Sequence, residues 1–381
     1  MVRPELDLEE GMTRQTRLGL ALVVALALVA AACGGEGGDV TTTEAGTEPT
    51  TSEGGAEATT TAGSATTAVA GESVTIGYSA PFLFSPFELL QQEATVAEAE
   101  ALGFTVLPAT NADGDSAKQD SDIRNLISAG AQGLIVVAND SNAIVPTLDY
   151  AEEQGVEVVS IDIGPDGGNL AMIVRANNLG MGAIACEALA EVMGYEGKVL
   201  SLQGAFATIN GRERSEGFAE CMSQYPDIEL IERPTEWDPD QQVAALQTVL
   251  TANPDLKAFF QQSDYALDAT LNVLTQAGLT APVGEEGHIY SISVDATPRA
   301  LELIRDGVLY GSISQPLDLY AKYGVEYLAA ALDGQTFEVG PTDHGSEIVE
   351  FNGNLMDLIP AVLVTADNVD DDGFWANQVE E

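Results

Sequence analysis

Polar side chains stand immediately past four β-branched or aromatic runs. Asp162 follows Val158-Val159-Ser160-Ile161, and Asp264 follows Phe259-Phe260-Gln261-Gln262-Ser263. Asp295 follows Ile292-Ser293-Val294, and Gln315 follows Ser312-Ile313-Ser314. Any one of them suits a turn or a helix cap equally well. Together, at equivalent places in a repeating pattern, they converge on a cleft where carboxylates and an amide would take hydroxyl or amine groups. Arg212 and Arg214 open a helix after Leu202-Gln203-Gly204 in a chain poor in cations. A cation is unfavourable at a helix N-terminus, and arginine at a cleft mouth offers a planar fork of donors to ligand oxygens. Of the two, Arg212 is the expected ligand contact, and a surface pair with Glu213 or Glu216 suits Arg214 better. Aromatic rings are scarce, so Trp237, in Pro234-Thr235-Glu236-Trp237-Asp238-Pro239, is conspicuous, as are Phe82, Phe84 and Phe87 in the first loop. Such rings either cap a core or sandwich the C–H face of a pyranose-like ligand.

Catalytic signatures are missing. The two histidines, His288 and His344, stand in no His-Glu-x-x-His, and the chain has no Gly-x-Ser-x-Gly, no phosphate loop and no Cys-x-x-Cys. Nothing implies an enzyme, a metal or another cofactor. Gly180-Met181-Gly182-Ala183-Ile184-Ala185 fits a dinucleotide glycine pattern but lacks the acidic residue expected at the end of the next strand. Its small residues instead suit close helix packing.

The elements that must position these groups form two similar series. Strands at 74–78, 104–107, 133–137 and 156–161 alternate with helices at 87–102, 116–129 and 142–154. The alternation resumes with strands at 198–202, 228–231, 258–260, 289–294 and 311–314. Helices at 180–193, 212–223, 239–251, 266–277 and 298–306 separate them. Apolar runs without alternation indicate parallel strands covered on both faces. The fold class is therefore α/β, with two doubly wound parallel-sheet lobes and ligand sites beyond the carboxyl ends of the strands.

The N-terminal part is an address. Basic Arg14 and Arg17 precede the apolar run 18–32, which is short for a spanning helix of ~20 residues and fits a secretory signal. Ala30-Ala31-Ala32-Cys33 resembles a bacterial lipoprotein signal, which would make residues 1–32 a signal peptide and Cys33 the lipidated residue. Met12 is an alternative start. Residues 33–73, rich in Gly, Thr, Ala, Ser and Glu, bury too little to offset their ordering entropy and read as a tether. That address implies an oxidising compartment, where Cys186 and Cys221 either pair or remain two buried thiols. With Lys+Arg 14 against Asp+Glu 60, a net charge of −46 excludes a nucleic-acid partner or a basic membrane-binding face. Only the N-terminal lipid would touch a membrane.

From about 73 to 369 the chain resembles the ribose/galactose-type periplasmic sugar-binding proteins of ABC importers. The resemblance rests on Ser85-Pro86-Phe87, Val159-Ser160-Ile161-Asp162, Leu202-Gln203-Gly204 with Gly211-Arg212-Glu213-Arg214-Ser215-Glu216-Gly217-Phe218, the Trp237 loop, Gln262-Ser263-Asp264, Val294-Asp295-Ala296-Thr297-Pro298 and Ser312-Ile313-Ser314-Gln315. It implies Phe87 and Trp237 as stacking rings, with Asp162, Arg212, Asp295 and Gln315 hydrogen-bonding a sugar. Ser85, Ser263 and Asp264 are added to the expected site through their motifs. Ser85 and Ser263 stand where the ribose-type pattern has Asn, and Ile163 where it has Arg, so a hexose, an inositol or another polyol stands beside ribose. The resemblance also implies a three-segment hinge near 174–177, near 315–316 and between 340 and 362, with helix 317–332 returning to the first lobe. Residues 74–175 and about 316–345 would form one lobe, 176–315 and about 346–369 the other, and 370–381 an acidic tail. Residues 337–359 have no sequence account. The expected protein is an extracytoplasmic, lipid-anchored monomer delivering a sugar or polyol to a permease and ATPase on other chains. A sensor of the same fold, a sugar enzyme, and an amino-acid or nucleoside binder are the alternatives.

Overall fold

The computed structural model describes residues 73–379. The signal, the Cys33 lipidation site and nearly all of the tether lie outside the described residues. No helix among the described residues is long and apolar enough to cross a membrane.

The first lobe starts with β1 (Thr75–Ala80), α1 (Pro86–Ala101), β2 (Thr105–Val106), β3 (Thr110–Asn111) and α2 (Ser116–Ser128). It continues through β4 (Gly133–Val136), α3 (Val145–Glu153), β5 (Glu157–Ile161) and β6 (Met172–Ala176). The second lobe runs α4 (Asn178–Val192), β7 (Gly197–Gln203), α5 (Ile209–Met222), β8 (Ile228–Pro234), α6 (Pro239–Ala252) and β9 (Leu256–Gln261). It ends with α7 (Leu267–Gln276), β10 (Tyr290–Asp295), α8 (Pro298–Arg305) and β11 (Gly311–Ser314). The chain then returns through α9 (Leu317–Leu332), β12 (Gly340–Pro341), β13 (Glu347–Phe351) and β14 (Asn354–Ile359), and crosses again into β15 (Val362–Thr365).

The apolar runs make buried parallel strands: β4 and β6 are buried at every position. Helix starts are set locally. Asp115, Asn177, Thr208, Asp238 and Thr297 each accept a bond from a backbone N–H of the first turn. The first sheet is ordered β12-β13-β14-β6-β5-β4-β1-β2, with β3 also on β1, and the second β15-β11-β10-β9-β7-β8. The cores β6-β5-β4-β1-β2 and β11-β10-β9-β7-β8 have the same winding, so both lobes aim strand ends at one cleft.

Residues 337–359 extend the first sheet. β13 and β14 pair antiparallel around Asn352-Gly353, whose φ values of 48° and 86° make the tight turn that suits a two-residue hairpin. β14 lies parallel to β6. The lobe boundary expected near 346 therefore falls at 360–361, because the hairpin completes the first sheet and only β15 joins the second, antiparallel to β11. The 370–379 segment also differs from a solvated tail. Arg305 holds it through Asp370 Oδ1, the Val369 carbonyl and Asn377 Oδ1. Trp375 is 3% exposed and meets the Phe87 ring edge-on, with centroids 6.1 Å apart. Its three aspartates suggested solvent, whereas Phe374 and Trp375 supply an apolar anchor that outweighs them.

Helices α4 and α5 cross at glycines. A Cβ on Gly182 would collide with the Arg214 carbonyl, and one on Gly217 with the Leu179 carbonyl. The Gly180–Ala185 pattern therefore serves this close approach. The approach brings Cys186 and Cys221 to a Cα separation of 6.0 Å, and the two form a disulfide.

Candidate ligand-binding site

Thirteen residues line a cleft between the lobes with about 350 Å³ of space unfilled by protein atoms, part of it open to solvent. The first lobe contributes Phe82, Ser85, Phe87, Glu88, Asp162 and Ile163. The second contributes Asn210, Arg214, Trp237, Ser263, Tyr265, Asp295 and Gln315. Of the expected site residues, Ser85, Phe87, Asp162, Trp237, Ser263, Asp295 and Gln315 are brought together, and Arg212 and Asp264 are not.

Arg212 turns to the rim. Its Nη2 pairs with Asp166 Oδ1 of the first lobe at 2.5 Å and its Nη1 donates to the Phe206 carbonyl at 2.9 Å. Arg214 occupies the cleft instead, and the physical reason is helical phase. Two residues along α5 rotate a side chain by roughly 200°, so the two arginines face opposite ways. Arg214 is 2% exposed; its Nε donates to Asn178 Oδ1 at 2.7 Å and its Nη1 to the Gln262 carbonyl. Asp264 lies behind the wall. It accepts from the Thr297 N–H (2.8 Å) and hydroxyl (2.9 Å) and from Ser312 Oγ (3.2 Å), and its own N–H donates to Asp295 Oδ2 at 3.0 Å. Burial, then the Asp295 charge, pushes the Asp264 carboxyl up to about 7.

Asp295 is fully braced. Oδ2 also accepts from Ser263 Oγ at 2.6 Å, and Oδ1 accepts from Gln315 Nε2 at 2.7 Å. Asp162 accepts from Asn210 Nδ2 at 2.9 Å and shares a side-chain hydrogen bond with Glu88, and burial, opposed by the Arg214 guanidinium, pushes it up to about 6. Asn210 is oriented in turn by Arg175, a fully buried β6 side chain that donates to Asn210 Oδ1 at 2.8 Å and, bidentately, to Glu213 at 2.7 and 3.1 Å. Arg175–Glu213 and Arg212–Asp166 are thus ion pairs between the lobes. Tyr320 joins two crossings: its oxygen accepts from the Ala176 N–H at 2.9 Å and donates to Gln315 Oε1 at 3.2 Å.

The backbone is strained here. Eight non-glycine residues among the described ones have positive φ, and Asp162, Glu236, Trp237, Asp295 and Ala296 are five of them, at or beside the cleft. Such conformations cost about 1–3 kcal/mol each and concentrate at ligand clamps. The Trp237 ring lies against Gly204, where any Cβ would collide with it, and its Nε1 donates to Thr208 Oγ1 at 3.2 Å. Edge-to-face Trp237–Tyr265 (6.3 Å) and Tyr265–Phe84 (6.4 Å) contacts, and a Phe82–Phe84 stack at 4.4 Å, carry the aromatic lining from lobe to lobe.

Sequence reasoning missed Glu88, Asn210 and Tyr265 as lining residues. Glu88 reads as an ordinary first-turn acid, favourable to the helix dipole. The signal available for it was its place beside Phe87, in the loop already singled out. No group of three or more His, Cys, Asp or Glu able to hold a metal occurs among the described residues.

The sequence model of the periplasmic binding protein domain matches residues 76–336. The ribose import binding protein of Salmonella typhimurium is 26% identical over 268 residues, covering 70% of this chain and 87% of that protein. The D-apiose import binding protein of Actinobacillus succinogenes is 28% identical over 248 residues, covering 64% and 75%. A solved ABC transporter solute-binding protein from Mycobacterium smegmatis with bound glycerol aligns with a TM-score of 0.68 at 26% identity, covering 78% of this chain and 96% of that one.

Proposed function

The chain belongs to the periplasmic binding protein family, and from that premise we propose that it captures a sugar or polyol outside the cytoplasm and hands it to an ABC importer. One observation carries this reading: a two-lobed cleft sets Phe87 and Trp237 among the Arg214 fork, three carboxylates and Gln315. Flat rings cover the C–H face of a small ring, and charged groups in its plane take the hydroxyls. The names of the relatives, ribose and D-apiose import binding proteins, support the ligand class and the transport role.

In this reading Phe87 and Trp237 stack on the ligand, while Asp162, Asp295, Arg214, Asn210, Ser263 and Gln315 hydrogen-bond it. Ser85 closes the first-lobe side. Arg212 and Asp264 support from outside, the one as a rim pair that draws the lobes together, the other as the brace of Asp295. Capture is the whole activity, with no turnover. The protein works as a monomer, held at the outer face of the membrane through lipid on Cys33, and the permease and ATPase are separate chains.

A thermal-shift screen across pentoses, hexoses, inositols, nucleosides and amino acids tests the ligand class. The expected result is a saturable rise in melting temperature with at least one sugar or polyol. Stabilisation confined to amino acids or nucleosides contradicts the proposal.

A further inference from the structure

The two walls of the cleft differ in how their charges are matched. On the second-lobe wall Asp295 receives three protein hydrogen bonds. On the first-lobe wall Glu88, 4% exposed, receives one long bond from Gln91 Nε2 at 3.3 Å, and Asp162 receives one from Asn210. Arg214, the lining cation, spends Nε and Nη1 on neutral acceptors, leaving Nη2 on the cleft side without a protein partner among the described residues. Ile163, beside Asp162, adds an apolar wall. The cleft therefore holds three carboxylates against one guanidinium, and neither first-lobe carboxylate forms an ion pair with a protein cation among the described residues. Burial, then the Asp162 and Asp295 charges and a side-chain hydrogen bond to Asp162, hold the Glu88 carboxyl well above the usual carboxylate range against the opposing Arg214 charge, so the two first-lobe carboxyls share a proton that a ligand cation would displace.

A buried carboxylate is costly unless paired, and an ammonium both neutralises it and donates to it. The rings of Phe87, Trp237 and Tyr265 line the same space and are compatible with a cation, whereas an anionic ligand would meet like charge. We propose that the preferred ligand is an aminated sugar or amino-polyol whose ammonium group sits between Glu88 and Asp162, with its hydroxyls on Asp295, Gln315 and Arg214. This rests on the sugar or polyol reading above and names the substrate class within it.

Calorimetric titration of the full chain tests it, using 2-, 3- and 6-amino-deoxyhexoses and an amino-inositol, each beside its parent hydroxyl compound. At least one amino compound is expected to bind at least roughly 10-fold more tightly than its parent, the scale of a charge-assisted bond. Glu88→Gln should move that ratio toward one. If every parent binds as tightly as its amino partner, or Glu88→Gln leaves a strong amino preference in place, the inference falls while the sugar reading stands. If neither set binds, the inference falls, and the sugar reading is decided by the wider thermal-shift screen. The wild-type comparison decides even where the variant folds poorly.

Discussion

The second-lobe wall of the cleft is finished and the first-lobe wall is not. On the second lobe, Asp295 is held by Ser263, the Asp264 N–H and Gln315, with Thr297 and Ser312 bonding Asp264 behind it. Trp237 is fixed by Gly204 and Thr208. On the first lobe, Glu88 and Asp162 are buried against each other, with one further protein donor each. A preorganised surface binds without paying to order itself, so one wall supplies shape and register while the other carries the carboxyl pair that the proposed ammonium would complete.

The largest test of this contrast uses the two arginines of α5. Arg214→Ala strips the finished wall of its cation and leaves Asn178 and the Gln262 carbonyl without their donor. It should lower ligand affinity by about 2–5 kcal/mol, the cost of truncating one member of a buried charged set. Arg212→Ala removes only a rim pair, worth roughly 0.2–1 kcal/mol when part-exposed, and should shift affinity no more than a few-fold by calorimetry. Equal losses in the two variants would break the distinction between wall and rim.

Next comes the Cys186–Cys221 bond, on the second lobe but away from the cleft. Replacing both with alanine should cost about 2–4 kcal/mol of stability in denaturant unfolding, with ligand affinity unchanged. Trp237→Ala removes a stacking anchor and should cost about 2 kcal/mol of affinity. Trp375→Ala reaches the ligand through the Phe87 ring it meets edge-on, and should cost about 0.5–1.5 kcal/mol of affinity, the worth of one aromatic pair, seen mainly as faster ligand release.

The smallest effect is on the ligand-free protein as pH changes. Asp162, at about 6, and Glu88, well above its usual range, both have raised folded-state pKa values. Their contribution to stability is full below the ordinary carboxylate range and is lost as pH rises through the folded values. Melting temperature should therefore be higher near pH 5 than near pH 7.5. Glu88→Gln should flatten that slope and raise the neutral-pH value by about 2–4 °C, equivalent to about 1 kcal/mol in a domain of this size. A Glu88→Gln slope equal to that of the wild type would mean that Glu88 contributes nothing to it.

Both lobes and most cleft positions were legible in the sequence, because parallel strands write themselves as apolar runs and their carboxyl ends point at the ligand. Arg214 was not, since choosing between residues two apart on one helix needs the helix phase, which Thr208 as cap sets. The hairpin was legible but unread: Glu347-Ile348-Val349-Glu350-Phe351 leads straight into Asn352-Gly353, a two-residue turn signal. Arg175 and Trp375 act through partners distant in the chain, Glu213 and Phe87, and no local pattern announces either contact.

The central claim is that a sugar or polyol lies between the two walls, and a crystal structure with the strongest sugar hit of the thermal-shift screen tests it most directly. The expected density is a ring between Phe87 and Trp237, with Arg214 Nη2 and Asp295 in hydrogen-bond contact. A ligand bound outside the cleft, or held at Arg212 with Arg214 untouched, would contradict the account.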